Sequence, residues 1–187
     1  MGKKWEDILS ELGVSKKIMN NPKAREAISS HIVNAIILPN VPNNRILRYI
    51  DLSKQPLPEI EQDDFEELMT VLRASTLFTM DEIFAQKGSK KVYGGMDITS
   101  DTVVLEYCLV GHDRFSDHMS ETVISLSGDN VQFDTEKVGY DYCKCPTTRK
   151  YEREIVGPDG QVLEHIESDQ ALEEKASFES LKDVHEL

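Results

Sequence analysis

The sequence lacks the long apolar segments, cysteine pairs and leader pattern typical of membrane or secreted proteins. No uninterrupted apolar run in the 187 residues exceeds the four residues 35–38, whereas a helix needs about 20 to cross a bilayer. The three cysteines are an odd number in a chain long enough to fold without disulfides, which indicates a reducing compartment. No basic and apolar leader opens the chain. We therefore expect a cytoplasmic protein with no membrane contact.

The sequence also lacks the motifs of common enzyme and cofactor classes. It has no Gly-x-Ser-x-Gly nucleophile turn, phosphate-binding loop, glycine-rich dinucleotide turn or His-Glu-x-x-His zinc motif. One alternative is a small hydrolase or transferase, with Glu106 on an otherwise apolar strand and Tyr107, His112 or His165 as proton carriers. A glutamate in such a position is more often paired with an arginine such as Arg153. We predict no cofactor and favour a protein without catalytic activity.

Two pairs of residues that could bind zinc have spacings that fit no common zinc site. His112 and His118 are separated by five residues, and Cys143 and Cys145 by one. Zinc sites usually place two or more residues between paired cysteines, so that both thiolates reach one ion. We therefore predict no bound metal, with the histidines in a polar surface loop and the cysteines as small strand residues.

Acidic residues are in excess, and they are concentrated behind residue 60. The chain has 21 Lys and Arg against 34 Asp and Glu, a formal net charge of −13. Residues 1–60 have a net charge of +3, whereas residues 61–150 and 151–187 each have −8. Such a field repels nucleic acids and anionic lipids and favours encounter with a basic partner. An acidic surface also keeps a protein soluble, which is the simpler interpretation.

The spacing of apolar residues changes along the chain from helical to strand-like. Apolar residues recur every three or four positions in 5–12, 24–36 and 65–72, which predicts helices. From about residue 91 they alternate, which predicts strands. Gly94 and Gly95 form a pair of the size found in hairpin turns. Strands 151–156 and 161–166 flank Gly-Pro-Asp-Gly and should form a hairpin, followed by an acidic helix from Ser168 or Asp169.

This order predicts an α+β fold in which helices precede an antiparallel meander sheet and an acidic C-terminal helix. We expect a helical N-terminal region over 1–55 and an α+β domain with an antiparallel sheet over 56–187. A single continuous domain is the alternative, because no repeat or low-complexity linker separates the two parts.

The segment from Asp7 to Ala27 resembles the start of a LacI-type helix-turn-helix. Gly13-Val14-Ser15 matches the end of a first helix and the cap of a second, and Asn20-Asn21-Pro22 matches the close of the recognition helix. Asn21 and Pro22 also have the residue types that begin a longer helix. The resemblance implies a DNA-binding regulator as an alternative function. Its phosphate contacts would come from four basic residues, namely Lys16, Lys17, Lys23 and Arg25.

Carboxylates are densest at the predicted hairpin and the helix after it. We predict that they form a negative ridge that binds a partner, from Glu152, Glu154, Glu164, Glu167, Asp169, Glu173 and Glu174. Carboxylates two residues apart on a strand are about 6 to 7 Å apart, close to the phosphate repeat of a nucleic-acid strand. An edge strand charged to prevent aggregation is the alternative.

The favoured functional hypothesis is a non-enzymatic acidic interaction protein. Small acidic inhibitors that phages and mobile elements carry, of the anti-CRISPR and anti-restriction kinds, resemble this chain in size, charge and absence of motifs. The resemblance implies nucleic-acid mimicry, in which the acidic surface occupies the basic channel of a nucleic-acid-binding machine such as a nuclease. The sequence leaves the oligomeric state open.

Overall fold

The fold, seen in a computed structural model, is α+β with helices followed by an antiparallel meander sheet, which confirms the predicted fold class. The structure describes residues 2–40, 59–77, 91–111, 117–140 and 146–169. The predicted acidic C-terminal helix, apart from its proposed start at Ser168 or Asp169, lies outside these residues. None of the helices within them is long and apolar enough to span a membrane.

The helical part contains five α-helices and one π-helical segment within the described residues. They are α1 (Trp5–Glu11), α2 (Lys16–Asn20), α3 (Pro22–His31), the π-helical segment Ile32–Ile37, α4 (Leu38–Asn40) and α5 (Gln62–Ala74). The six strands are β1 (Lys91–Ile98), β2 (Thr102–Val110), β3 (Asp117–Ser127), β4 (Asn130–Tyr140), β5 (Pro146–Val156) and β6 (Val162–Ser168). Each strand pairs with its neighbour in sequence, in the order β1-β2-β3-β4-β5-β6.

The helix boundaries follow the capping residues. Gly13, with φ +89°, lies just beyond α1, and the Ser15 hydroxyl accepts a hydrogen bond from the Ile18 amide at the start of α2. The Asn21 side chain accepts hydrogen bonds from the Lys23 and Ala24 amides, with Pro22 at the first position of α3. α2 is therefore only five residues long.

The helix that begins at Pro22 widens into a π-helical segment at Ile32. The segment's six residues are all buried except Asn34. Six residues complete more than one turn of either kind of helix, so five buried side chains show that the segment is packed on nearly all sides. The 3.6-residue spacing of the sequence predicts a helix here, but it does not distinguish the two kinds of turn.

The helices cover one face of the sheet, named here the helix-covered face. Residues paired directly across neighbouring strands share a face, and the row Val103, Ile124 and Phe133 is buried against the helices. A single apolar cluster contains these residues together with Trp5, Ile28, Ile36 and Leu68 of the helical part. The other side of the sheet is named the second face. The predicted domain boundary near residue 55 lies outside the described residues and stays a prediction.

Gly94 and Gly95 lie within β1 and not at a turn, so the hairpin-turn interpretation of this pair is wrong. A Cβ atom at Gly94 would lie 2.5 Å from the Ala35 carbonyl oxygen, and one at Gly95 would lie 2.6 Å from the Thr76 carbonyl oxygen. The glycines are therefore required by close approach of other backbone to the edge strand.

Candidate functional site

The β5–β6 hairpin forms around the predicted turn. The Gly157 amide donates to the Gln161 carbonyl over 2.8 Å, the Gly160 amide donates to Gly157 over 2.9 Å, and Gly160 has φ +85°. The Asn21 amide group donates to the Gly157 carbonyl over 2.9 Å. The start of α3 thus holds the hairpin against the helical part.

β6 is the last strand of the sheet and is unusually exposed. All residues from Val162 to Glu167 are exposed. Val162, Leu163 and Ile166 have 47%, 53% and 44% of their surface in solvent, and the described residues contain only two other exposed large apolar side chains. Sequence analysis missed these three residues, because an apolar residue on a strand is normally predicted to be buried.

The carboxylates of the hairpin are divided between the two faces. Glu152, Glu154, His165 and Glu167 share the helix-covered face, since Glu152 pairs with Glu167 and Glu154 with His165. Glu164 pairs with Ile155 and lies on the second face. Of the other predicted ridge residues, Asp169 follows β6 directly, and Glu173 and Glu174 lie outside the described residues.

Cations neutralise part of the carboxylate cluster on the helix-covered face. Lys23 of α3 donates to Glu154, and Lys137 lies 3.6 Å from Glu152. Burial alone would raise the pKa of Glu154, but the hydrogen bonds and charges of Lys23 and His165 lower it overall. The ring nitrogens of His165 lie 3.2 Å from oxygens of Glu154 and Glu167. These hydrogen bonds, that to Glu167 foremost, raise the pKa of His165.

The same cluster contains the described residues that could hold a metal ion. One donor atom each from Glu152, His165 and Glu167 can be chosen so that all three lie within 4.8 Å of one another. When His165 is protonated it supplies a positive charge among these carboxylates, so the three side chains can form an ion-pair cluster without a metal. His118 lies on β3, whereas His112, Cys143 and Cys145 fall outside the described residues.

The second face carries another set of charged residues, which sequence analysis did not bring together. Glu106, Glu121 and Glu136 are directly paired across β2, β3 and β4, and Arg149 lies 3.4 Å from Glu136. Register determines this row, so its members cannot be associated from sequence spacing alone.

Of the residues considered for catalysis, His112 lies outside the described residues, and the structure does not bring the other three together. Glu106 is 8% exposed and lies on the second face, whereas its neighbour Tyr107 lies on the helix-covered face, like His165 on β6. Arg153, suggested as a partner for Glu106, donates to Asp134 over 2.6 Å instead. The Tyr151 hydroxyl donates to the same oxygen, and burial together with Asp134 raises the pKa of Tyr151 to about 12.

The basic residues of the DNA-binding alternative lie in the described helices. Lys16 and Lys17 lie on α2, whose five residues form little more than one turn. Lys17 lies 3.7 Å from Asp129, Lys23 binds Glu154, and Arg25 lies on α3. A contact with DNA phosphates through Lys23 would have to replace this existing carboxylate partner.

A depression of about 360 Å³ lies at the sheet and is lined by residues of β2, β3, β4 and β5. Lys137, Lys150, His118 and Tyr107 contribute to its lining, and Lys137 and Lys150 are paired directly across β4 and β5. Of these two lysines, Lys137 also lies 3.6 Å from Glu152.

No protein-family model, curated protein or solved structure matches this chain. Any function must therefore be inferred from the chemistry of its own surface. β6 departs most from an ordinary solvated surface, because a strand edge left unpaired by the described residues, exposed apolar side chains and carboxylates occur together.

Proposed function

We propose that this protein is a non-enzymatic acidic interaction protein that binds a basic partner through β6. The observation that carries the proposal is that three of the five exposed large apolar side chains found in the described parts of the chain lie on this one strand, beside Glu164 and Glu167. Clustered exposed apolar side chains can mark a protein contact surface, whereas singly scattered ones need no explanation, and these three lie within five consecutive residues.

The chemistry of β6 favours binding over simple protection of the edge. Proteins protect exposed edges with charged side chains, lysine above all, and with proline, bulges or very short strands. Glu164, Glu167 and the register shift at Val162 give β6 part of this protection, but its three exposed apolar side chains do not. β6 has neither lysine nor proline and is seven residues long. Its apolar side chains gain free energy when a partner removes them from water, and its carboxylates select a partner of positive charge.

The narrower form of this proposal is a nucleic-acid-mimicking inhibitor of the anti-CRISPR or anti-restriction kind. Its support is the net charge of −13 and the carboxylates of the hairpin. Because Glu152 and Glu154 lie close to lysines, the mimicry would depend mainly on Glu164, Glu167 and Asp169. In this form the partner's own nucleic acid competes with the protein for one site.

Affinity purification from the native source with three matched baits tests the proposal. The baits are the natural chain, Glu164→Lys with Glu167→Lys on β6, and Glu26→Lys with Glu66→Lys on α3 and α5, which gives the same change in charge. We expect the natural and helical-variant baits to capture the same basic protein and the β6 variant to capture about tenfold less. Added salt should release the partner.

Equal capture by all three baits would contradict the proposal. For the narrower form, addition of DNA or RNA to the purified complex should displace the protein if the partner is a nucleic-acid-binding machine. A stable ternary complex with nucleic acid would exclude mimicry while leaving the general interaction intact.

A further inference from the structure

We infer that the partner binds by adding an extended basic segment along β6 as the next strand of the sheet, an inference that rests on the proposed function. The sheet has six strands in sequence order, so among the described residues one side of β6 pairs with β5 and the other is the sheet edge. An edge strand presents alternate N–H and C=O groups that a partner strand can bond.

The length of β6 suits this mode of binding. β6 contains seven residues, and its pairing with β5 is regular from Glu164 to Ser168, beyond the register shift. In this stretch alternate residues direct their backbone groups away from β5, so an added strand would find outward groups on about two or three residues. These backbone bonds are independent of sequence, so the side chains must select the partner.

Both faces of the edge combine an apolar and an acidic side chain. On the second face, Glu164 lies beside Ile166; on the helix-covered face, Glu167 and His165 follow Val162. A strand laid along β6 would place its side chains directly opposite these residues. The matching segment therefore has basic and apolar residues on both of its faces.

Charge favours a basic partner over the two acidic alternatives. Residues 170–187 contain five Asp and Glu against two Lys, so this segment would bring like charge to Glu164 and Glu167. A second copy of the chain carries the same net charge of −13. A basic segment is attracted by Glu164 and Glu167 and by the negative charge of the chain.

Amide hydrogen exchange of the full chain, measured by NMR, tests the inference. The probe is the peptide Lys-Lys-Val-Val-Lys-Lys-Val, which has basic and apolar residues on both faces. The control is Lys-Lys-Pro-Pro-Lys-Lys-Pro, which has the same charge but cannot form a regular strand. We expect the probe to slow exchange of alternate β6 amides about tenfold, and the control to leave them unchanged.

Protein variants provide a second readout. Ile166→Lys places a positive charge on the edge and should weaken binding of the probe about tenfold. Leu38→Lys makes the same kind of change at another exposed apolar residue, on α4, and should bind the probe like the natural chain. Thermal unfolding of each variant shows whether it is folded.

The possible outcomes separate this inference from the proposed function. Salt-sensitive binding of both peptides without slower exchange overturns strand addition, while the bait experiment decides the proposed function. No binding of the probe also overturns strand addition. If the β6 amides that face away from β5 already exchange slowly in the free monomer, the chain's own residues cover the edge. Slow exchange that grows with protein concentration would assign the edge to a second copy.

Discussion

Single residues set how closely the helical part approaches the sheet, and Gly94 is the clearest example. No side chain can be added there without moving backbone or Ala35, because a Cβ would lie 2.5 Å from the Ala35 carbonyl oxygen. The paired glycines in the sequence indicate a special backbone requirement, but both a tight turn and a close contact are consistent with it. Only tertiary structure distinguishes the two.

Gly94→Ala should lower the free energy of unfolding by about 1–3 kcal/mol, since the added methyl group overpacks the contact between β1 and the π-helical segment. Urea denaturation followed by circular dichroism measures the change. The control is Gly128→Asn in the β3–β4 turn, where φ is +65° and a Cβ would meet nothing within 4 Å. Asparagine tolerates this conformation, so the control should unfold close to the natural chain. Equal loss in both variants would contradict the packing argument.

His31 should give the protein a dependence of stability on pH. Burial lowers the pKa of its imidazole from the usual 6.5, while the hydrogen bond from Nε2 to the Gly95 carbonyl, 2.9 Å long, partly offsets this. The unfolded chain therefore takes up the proton first. The stability that neutral His31 contributes is complete above its unfolded pKa and decreases as pH falls towards its folded pKa.

Free energies of unfolding measured between about pH 7.5 and pH 5 check this expectation. His31→Gln removes the titrating group, so the variant should lose less stability on acidification than the natural chain. The titration of His31 followed by NMR should have its midpoint below 6.5. A midpoint above that value would show that the ring is not desolvated.

At the scale of elements, most of the hairpin could be predicted, but the direction of its side chains could not. The turn residues and the alternating flanks identify β5, β6 and the turn between them. The register shifts by one residue near Ile155 and Val156, where Val156 pairs with Val162 but Ile155 pairs with Glu164. Without that bulge Glu154 would pair with Glu164 on one face, as the predicted ridge requires.

A bulge of one residue moves every later side chain to the other face of a strand. No residue type in 161–164 specifies it uniquely, which is why the predicted ridge is divided in the structure. The pairing of Glu106, Glu121 and Glu136 could not be predicted either, because it depends on the register between strands and not on spacing in the sequence. Capping signals at Ser15, Asn21 and Pro22 were predictable because they act within a few residues of the chain.

Asn21 links two elements and is a stringent test of the contact between α3 and the hairpin. Its side chain caps α3 and also donates to Gly157 over 2.9 Å, and the residue is 2% exposed. Asn21→Ala should lower the free energy of unfolding by about 2–3 kcal/mol, combining a lost cap with an unsatisfied buried carbonyl. Chemical denaturation measures it.

Asn21→Asp separates the two roles of Asn21. Aspartate keeps the acceptor that caps α3, but places a carboxylate oxygen where the donor to the Gly157 carbonyl stood, so the hairpin contact is replaced by repulsion. The amides of Gly157 to Gln161 should then exchange faster, while those of α3 stay protected. If exchange in the hairpin turn were unchanged, the hydrogen bond to Gly157 would not anchor it.

At the scale of the whole molecule, one apolar cluster joins the helices to the sheet, which predicts cooperative unfolding. Trp5 is the only tryptophan; it is buried in α1 and its indole donates to Ser29 of α3. Its fluorescence reports on the helical part, and the methyl NMR signals of Ile124 report on the sheet. The two urea transitions should coincide. Separate midpoints would instead support two domains, 1–55 and 56–187.

The meander order has a consequence for how the protein is made. Each strand bonds only to the strand that precedes or follows it in the chain, so pairing needs only local loops to close. During translation, the sheet can grow one strand at a time as the ribosome releases the chain. β2 to β5 each expose an edge only until the next strand emerges, whereas β1 and, among the described residues, β6 each keep one unpaired edge. A strand-adding partner would therefore distinguish finished chains from nascent ones.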